Sequence, residues 1–202
     1  MKKVLTIVIL PLMIIGLTYL IITSINQPVN FQKERKSREA EAITILKDIR
    51  TLQVAYKNVY LHYAPAMDSL VDFFNNGEMT IVRQIGSLDD SLAVAQKLVK
   101  RENIQIKVKD TLFNDRPAFN PESLRTIPFS DGDTIILKSA IKMVSGVNVP
   151  LFEANIPFNS LLKGLNQQLL VNLNYERTST DRYPGLQVGS VENPNNNAGN
   201  WE

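Results

Sequence analysis

The chain has 202 residues, of which 44% are hydrophobic and 21% are charged, and this composition predicts one folded domain with an appendage rather than a disordered chain. Its 22 lysines and arginines against 20 acidic residues give a net charge of +2, so it lacks the basic surplus of a nucleic-acid-binding domain. The sequence contains no cysteine, which excludes disulfides, thiolate metal sites and cysteine nucleophiles.

The N-terminal segment predicts a membrane anchor over residues 1–28. Residues 4–23 form an uncharged apolar run, which as a helix spans about 30 Å, the thickness of a bilayer's hydrocarbon core. Pro11 is expected to kink this helix. A cleaved signal peptide is the alternative, but the run exceeds the usual length of about 7 to 15 residues and no small-residue cleavage site follows it. We therefore expect an uncleaved helix in contact with membrane lipid.

Residues 29–64 are expected to form a stalk and spine. The stretch 31–63 carries one apolar stripe, whose members recur at spacings of three and four: Ala42, Ile45, Ile49, Leu52, Tyr56, Val59 and Tyr63. As a helix the stretch is about 50 Å long, so its charged first third, residues 32–41, is predicted to project between the bilayer and the domain. The stripe has two interpretations. It forms a coiled coil with another subunit, or it packs on the protein's own sheet, which the two tyrosines on the seam favour.

Residues 65–192 are predicted to form an α+β domain of short elements. The patterns predict a helix over residues 68–75, a strand over 78–86, a helix over 91–101 preceded by Asp89 and Asp90, and a strand over 104–113. Three apolar runs separated by glycine-containing turns then predict an antiparallel meander over residues 124–129, 134–144 and 149–158.

A helix over residues 160–178 and a short strand over 186–191 complete the predicted domain. The predicted fold class is therefore α+β: a transmembrane helix continues into a long amphipathic helix packed on a small antiparallel sheet, with a C-terminal helix. Residues 193–202 form a polar tail that contains the only tryptophan, Trp201. This residue anchors a partner protein, or it folds back as a plug over the sheet, which is the interpretation we favour.

The sequence offers little catalytic chemistry. His62 is the only histidine, which excludes a multi-histidine metal site, and we interpret it as a half-exposed residue at a helix end. Asp131 and Asp133 flank Gly132, but two carboxylates on a turn form no calcium cage without further oxygen ligands, so a simple turn is expected. We predict no catalytic residue, no cofactor and no metal. The alternative is an enzyme whose carboxylates converge only in space.

The order of elements resembles that of type IV pilins and type II secretion pseudopilins. The likeness covers residues 1–75 and rests on the membrane helix and on the stretch REAEAITILKDIRTLQVAYKNVYLHYAPAMDSL, which is similar to the helix and turn that follow the membrane segment in those proteins. The chain departs from that family in its apolar run, since residues 4–23 contain no acid. The resemblance implies a filament subunit as an alternative function.

A second resemblance spans nearly the whole chain and is to uncharacterised single-pass membrane proteins of Bacteroidota. The runs that carry it are KDIRTLQVAYK, VKDTLF, IPFSDG, VPLFEA, RYPGLQVGS and NNNAGNWE. It implies a shared architecture and no particular activity. The chain is also loosely similar to single-pass platform subunits of pilus and secretion machines, which have one membrane helix, a coiled coil and a small α+β domain.

Basic residues flank the apolar run on both sides: Lys2 and Lys3 precede it, and Lys33, Arg35, Lys36 and Arg38 follow it. The positive-inside rule taken literally would keep the larger part in the cytoplasm. The second cluster begins ten residues beyond the run, however, and the pilin resemblance implies export. We therefore expect a single-pass protein of the inner (cytoplasmic) membrane with a periplasmic globular part.

The expected function is that of a non-catalytic, membrane-anchored envelope protein that acts as an assembly or docking subunit. Its expected partners are membrane lipid and other envelope proteins or further copies of itself, with no nucleic acid. A pseudopilin-like filament subunit and a membrane-anchored enzyme are the alternatives.

Overall fold

The structure is a computed structural model that describes residues 9–85, 100–116 and 119–202. It has one long N-terminal helix, two small antiparallel sheets and a C-terminal helix, the α+β fold that the sequence predicts. The helices are α1 (Leu10–Tyr60), α2 (Met67–Asn76), α3 (Phe158–Leu161) and α4 (Gln167–Thr178). The strands are β1 (Glu78–Ile85), β2 (Lys100–Lys107), β3 (Ile136–Val144), β4 (Val147–Pro157) and β5 (Gly185–Gly189).

Helix α1 is continuous through Pro28, where the sequence predicts the end of the membrane segment. A proline inside a helix lacks the N–H that would bond the carbonyl four residues earlier, here that of Ser24. Both residues are exposed and lie just beyond the apolar run, so water can bond this carbonyl instead. The helix ends at Tyr60, earlier than predicted, because Leu61 takes a left-handed conformation with a φ of 63° and donates its N–H to the Lys57 carbonyl.

The N-terminal part of α1 stands apart from the rest of the fold. Its apolar 18-residue window has a mean hydropathy of 1.5 and is 0% buried. Within the described residues, α1 is the one helix that is long and apolar enough to cross a membrane, and a secretion signal near the N-terminus shares these properties. Pro11, where a kink is predicted, is the second residue of α1. The carbonyl four residues before it lies outside the described residues, so the kink stays a prediction.

The C-terminal part of α1 lies at the centre of the hydrophobic core. Ala42, Leu46, Ile49 and Leu52 are all fully buried, and they belong to one cluster with Phe152 of β4. Burial of an aliphatic side chain of this size stabilises a fold by about 1.5 to 3 kcal/mol. One face of α1 therefore supplies much of the apolar contact that holds the domain together.

Residues 32–41 do not form the free stalk that the sequence predicts. Phe31 is only 5% exposed at the start of this stretch. Arg38 Nη1 donates hydrogen bonds to the main-chain carbonyls of Leu161 and Lys163, at 3.2 and 2.9 Å. The stretch therefore lies against α3 and the loop that follows it, and the domain begins within a few residues of the apolar run.

The strands β3, β4 and β5 form one antiparallel sheet in that order, and β1 and β2 form a separate antiparallel pair. A two-residue turn at Ser145 and Gly146 joins β3 to β4, with Val144 opposite Val147. Both turn residues have a positive φ, 51° and 83°, as in the type I′ turn that matches the twist of a hairpin. β4 is therefore the central strand of the three.

The prediction that residues 124–129 form the first strand of a meander is wrong. Residues 124–129 contribute only an isolated bridge between Thr126 and Thr134. Pro128 has no N–H to donate to a strand ladder, and Phe129 takes a positive φ of 61°. The third strand of the sheet is β5 instead.

The predicted helix over residues 160–178 is two helices, α3 and α4. Gly164 between them has a φ of 82°, which ends the helical path. The Asn166 side chain accepts the Leu169 N–H at 3.1 Å and so caps α4 at its start.

The elements around β2 also differ from the sequence prediction. β2 begins at Lys100 and a 3-10 turn follows at Val108–Asp110, so the strand lies earlier than the predicted 104–113. The last two residues of the predicted helix over 91–101 belong to β2. The rest of that helix, with Asp89 and Asp90, lies outside the described residues. The predictions for α2, β1 and β5 are confirmed to within two residues.

A buried amide joins α1 to the chain that follows it. Gln53 is 0% exposed; its Oε1 accepts the Ala64 N–H at 2.8 Å, and its Nε2 donates to the Ala64 carbonyl at 3.1 Å. Both main-chain groups of Ala64 are therefore satisfied inside the core. This clamp turns the chain back along α1 after Leu61.

Replacing Gln53 by leucine should lower the free energy of unfolding by about 2 kcal/mol, because the Ala64 N–H and C=O would lose their partners while buried. Urea unfolding followed by the fluorescence of Trp201, the only tryptophan, measures the loss. Gln32→Leu on the exposed face of α1 is the matched control and should change stability by less than about 0.5 kcal/mol. Equal losses in the two variants would contradict the clamp.

Candidate docking surface

The predicted stripe is largely part of the protein's own core. Its members divide as follows: Ala42, Ile49, Leu52 and Tyr63 are buried, Ile45 and Tyr56 are half-buried, and Val59 is exposed. The stripe therefore packs on the protein's own fold, one of the two interpretations that the sequence allows, and its buried members offer no surface to a second subunit. The buried face of a helix in a globular domain is wider than the two-position seam of a coiled coil, so it also takes in Leu46 and Gln53, which the stripe omits.

An ion pair that the apolar pattern does not reveal lies at the edge of the core, between a buried Asp48 and a partly exposed Arg116. Asp48, 8% exposed, accepts hydrogen bonds from the two terminal nitrogens of Arg116, at 2.6 and 3.1 Å. The same guanidinium lies 4.7 Å from the ring centroid of Phe113 and 5.3 Å from that of Phe119. The hydrogen bond to Asp48 raises the pKa of Arg116 against the effect of desolvation. The pair ties the loop after β2 to α1, and we assign it a structural role.

The C-terminal tail folds back onto the sheet. Gly199 pairs with Val188 of β5, Trp201 packs half-buried against the core, and Glu202 Oε1 accepts a hydrogen bond from Arg50 at 2.7 Å. A Cβ on Gly199 would lie 2.4 Å from the Trp201 ring, so this close approach requires glycine. Trp201 thus acts within the molecule as a plug, rather than as a free anchor for a partner.

Amide side chains hold the tail along the rest of its length. Asn197 Nδ2 donates to the Tyr63 hydroxyl at 2.9 Å. Asn200 donates its main-chain N–H to the Gln187 carbonyl and its Nδ2 to the Gly185 carbonyl, both at 2.9 Å. Residues 193–202 are therefore an integral part of the domain and cover the outer edge of β5.

A groove of about 1000 Å³ lies between the last turns of α1, the β1–β2 pair and the tail. Apolar residues and neutral amides line it, and among its charged residues are the cations Arg50 and Lys57 and one carboxylate, Glu78. General acid–base chemistry commonly uses a histidine or a pair of carboxylates held close together. Among the described residues, the groove lining contains neither arrangement.

The other residues singled out in the sequence lie on simple surface features. His62 is exposed, and its Nδ1 lies 3.0 Å from the Tyr63 carbonyl oxygen. Asp131 forms an ion pair with Lys163 at 2.8 Å, and the hydrogen bond from Lys163 lowers the pKa of Asp131. Asp133 uses its main-chain carbonyl to accept the Ile127 N–H. In the described part of the chain, no three histidine, aspartate or glutamate side chains gather as a metal site.

The hairpin of β3 and β4 exposes apolar side chains near the C-terminal end of α1. Ile141, Met143 and Val147 are 63%, 75% and 63% exposed. Ile141 shares a shallow depression with His62, which follows α1 directly. Among the described strands, β3 pairs only with β4. An exposed apolar surface beside an open strand edge is typical of a protein-binding surface, and sequence reasoning missed it because it did not foresee which strand lies at the edge.

No protein-family model matches this chain, and neither a curated protein nor a solved structure is significantly similar to it. The fold and the surfaces described above therefore carry the functional inference. The resemblances drawn from the sequence stay predictions.

Breaking the ion pair between Arg50 and Glu202 should loosen the tail. The hydrogen bond from Arg50 holds the pKa of Glu202 below its ordinary value, so the pair stabilises the fold above the ordinary glutamate pKa of about 4.3 and is lost as the pH falls through the lowered value. At neutral pH we expect acrylamide to quench the fluorescence of Trp201 more strongly in Glu202→Gln than in the wild type. Acidification should remove the difference.

The matched control for this experiment is Glu192→Gln, since Glu192 is exposed and forms no ion pair within the described residues. Its quenching should equal that of the wild type at every pH. Equal quenching in all three proteins at neutral pH would show that the pair does not hold the tail.

Proposed function

We propose that this protein is a membrane-anchored subunit of the bacterial cell envelope that docks or assembles other proteins without catalysing a reaction. In this proposal the apolar part of α1 crosses the inner membrane once and the domain lies in the periplasm. The observation that carries the proposal is the continuity of α1. The same helix supplies the exposed apolar segment and the buried centre of the domain.

A continuous helix supports docking because it sets the height and the orientation of the domain. From Ser24, at the end of the apolar run, to the buried Phe31 the helix rises about 10 Å. Arg38 then bonds the domain through two main-chain carbonyls. A tethered enzyme needs only to stay near its membrane, for which a flexible linker suffices. A fixed geometry is useful when a partner must be met at a set place.

The surfaces of the domain give further support. The exposed hairpin residues Ile141 and Met143 and the unpaired side of β3 are features that bind proteins. Of the described residues that line the large groove, by contrast, only Glu78 carries a carboxylate. Docking therefore accounts for more of the described surface than catalysis does.

A filament subunit is the second candidate, favoured by the exposed apolar part of α1 that extends from the domain. Such a segment can pack against copies of itself in a filament core, as the resemblance to pilins implies. The absence of an acid in residues 4–23 weighs against it. Mechanical shearing of whole cells separates the two: a filament subunit is released as polymers, whereas we expect this protein to stay in the membrane fraction.

A flexible insertion tests whether the fixed geometry matters. A photoreactive residue placed at the exposed Met143 should cross-link the wild-type protein to discrete partners in native membranes. Ten glycine and serine residues inserted after Asn26 should abolish most of these cross-links, since the domain then loses its fixed height and orientation. The same insertion after Lys3 leaves the connection to the domain intact and should preserve them.

Two results would contradict the proposed function. Cross-links that survive both insertions would show that a rigid mount is unnecessary. Mature protein in the aqueous fraction that begins beyond Asn26 would show that the apolar run is a cleaved signal and not an anchor.

A further inference from the structure

The three-stranded sheet has one closed edge and one open edge. The tail closes the outer edge of β5 through the Val188–Gly199 bridge and through the hydrogen bond from Asn200 to Gln187. The outer edge of β3 has no such cover within residues 9–85, 100–116 and 119–202. The protein thus protects one edge with its own chain and leaves the other available.

The hairpin register determines which main-chain groups β3 presents. When a two-residue turn closes a hairpin, the pair that flanks the turn exchanges both hydrogen bonds, and so does every second pair after it. Val144 and Val147 flank the turn, so alternate residues from Val144 backwards bond to β4. The intervening residues direct their N–H and C=O groups away from the sheet: Leu137, Ser139, Ile141 and Met143.

One face of this open edge is apolar. Ser139 lies opposite the core residue Phe152, so Ile141 and Met143, which alternate with it, extend the core face of the sheet into solvent. A shallow depression of about 280 Å³ lies on the same face between Ile141, Ser139 and Pro65. Apolar side chains of an added strand would lie against these residues and enter the depression.

The other face of the edge carries two cations. Lys138 and Lys142 alternate there with the apolar residues Ile136, Ala140 and Val144. Lys142 Nζ donates to the Glu192 main-chain carbonyl at 3.3 Å and has no carboxylate partner in the described part of the chain. Lys138 Nζ lies 3.9 Å from Glu153, a buried carboxylate that also accepts from Asn155. Acidic side chains on an added strand would meet these two cations.

We propose that the open edge of β3 binds, as an added β-strand, an extended segment of a partner protein in which acidic and apolar residues alternate. The main-chain groups of Ser139, Ile141 and Met143 supply hydrogen bonds that any extended chain can complete, and the two faces select the side chains. The inference rests on the proposed docking function for the nature of the partner.

A second copy of this chain is a poorer occupant. β4 runs from the hairpin turn toward Phe158, whose ring centroid lies 5.7 Å from the guanidinium of Arg35, near the membrane end of the domain, so β3 runs away from the membrane. Two copies anchored in one membrane would present their edges in parallel. A two-fold relation between the copies then puts the lysine face of one edge on the same side as the apolar face of the other, so Lys138 and Lys142 would lie beside Ile141 and Met143 of the second copy and meet no acidic group.

Three synthetic ten-residue peptides test the proposal on the full chain in detergent micelles, by fluorescence anisotropy. The first alternates glutamate and valine, the second has the same composition in scrambled order, and the third replaces each glutamate by lysine. We expect the first peptide to bind, and the affinity of the other two to be at least about fivefold lower, since each cross-strand charge pair contributes modestly. Equal affinity for all three, or binding to none, would overturn the proposal.

Two variants locate the binding at the edge. Ile141→Pro removes an outward N–H and leaves the ladder between β3 and β4 intact, so we expect it to weaken binding of the alternating peptide about fivefold. Lys142→Glu should lower the affinity for the acidic peptide to a similar degree and raise the affinity for the lysine peptide. This variant keeps the test decisive if Ile141→Pro disturbs the fold. Val171→Glu, at a half-exposed apolar residue of α4, is the control and should change neither. Unaltered binding in both edge variants would overturn the assignment.

The remaining outcomes separate this inference from the proposed function. A dimer in sedimentation that Ile141→Pro abolishes, with no peptide bound, would assign the edge to a second copy and overturn the inference. If the cross-links at Met143 depend on the rigid mount but no peptide binds, the proposed docking function is supported and the assignment of a binding site to the β3 edge is overturned. If the alternating peptide binds but the cross-links survive both insertions, the assignment of the β3 edge is supported and the proposal of a rigid mount is overturned.

Discussion

Burial of one face of α1 against the sheet is the contact on which the rest of the structure depends. Leu46, Ile49 and Leu52 lie in one cluster with Ala154 and Ile156 of β4. A three-stranded sheet cannot shield its own apolar face from water, so without α1 the sheet would have no core. The Gln53 clamp, the Asp48 ion pair and the Arg50 contact with the tail all attach to the same helix, and each therefore depends on that burial.

The sequence predicts this arrangement well where burial alone sets the pattern. Spacings of three and four placed Ala42, Ile49 and Leu52 correctly, because an apolar face of a helix must recur at that period. The pattern missed Gln53 and Asp48, since a buried polar residue is tolerated only when a distant residue satisfies it, and distant partners leave no local signal. The prediction of a strand over residues 124–129 was wrong for a local reason: Pro128 has no N–H for a strand ladder, and Phe129 beside it has a positive φ.

The docking surface was beyond sequence reasoning because it follows from long-range pairing. β3 is at an edge only because β5, some forty residues later in the chain, pairs with the far side of β4. The tail then covers the outer edge of β5, and no other part of the described chain covers the outer edge of β3. Lysines on an edge strand discourage pairing between identical chains. Lys138 and Lys142 are therefore compatible with a β3 edge that binds other proteins but does not pair with a second copy of this chain.

The unbroken α1 has a mechanical consequence. Tyr60 lies about 46 Å beyond Val29 along the helix axis, and membrane helices tilt by about 20° on average. A stiff lever of that length swings its tip sideways by about 16 Å for such a tilt. If the apolar part of α1 spans a membrane, as proposed, changes in bilayer thickness that alter its tilt would move the distal hairpin sideways, so the position of the domain would depend on the surrounding lipid.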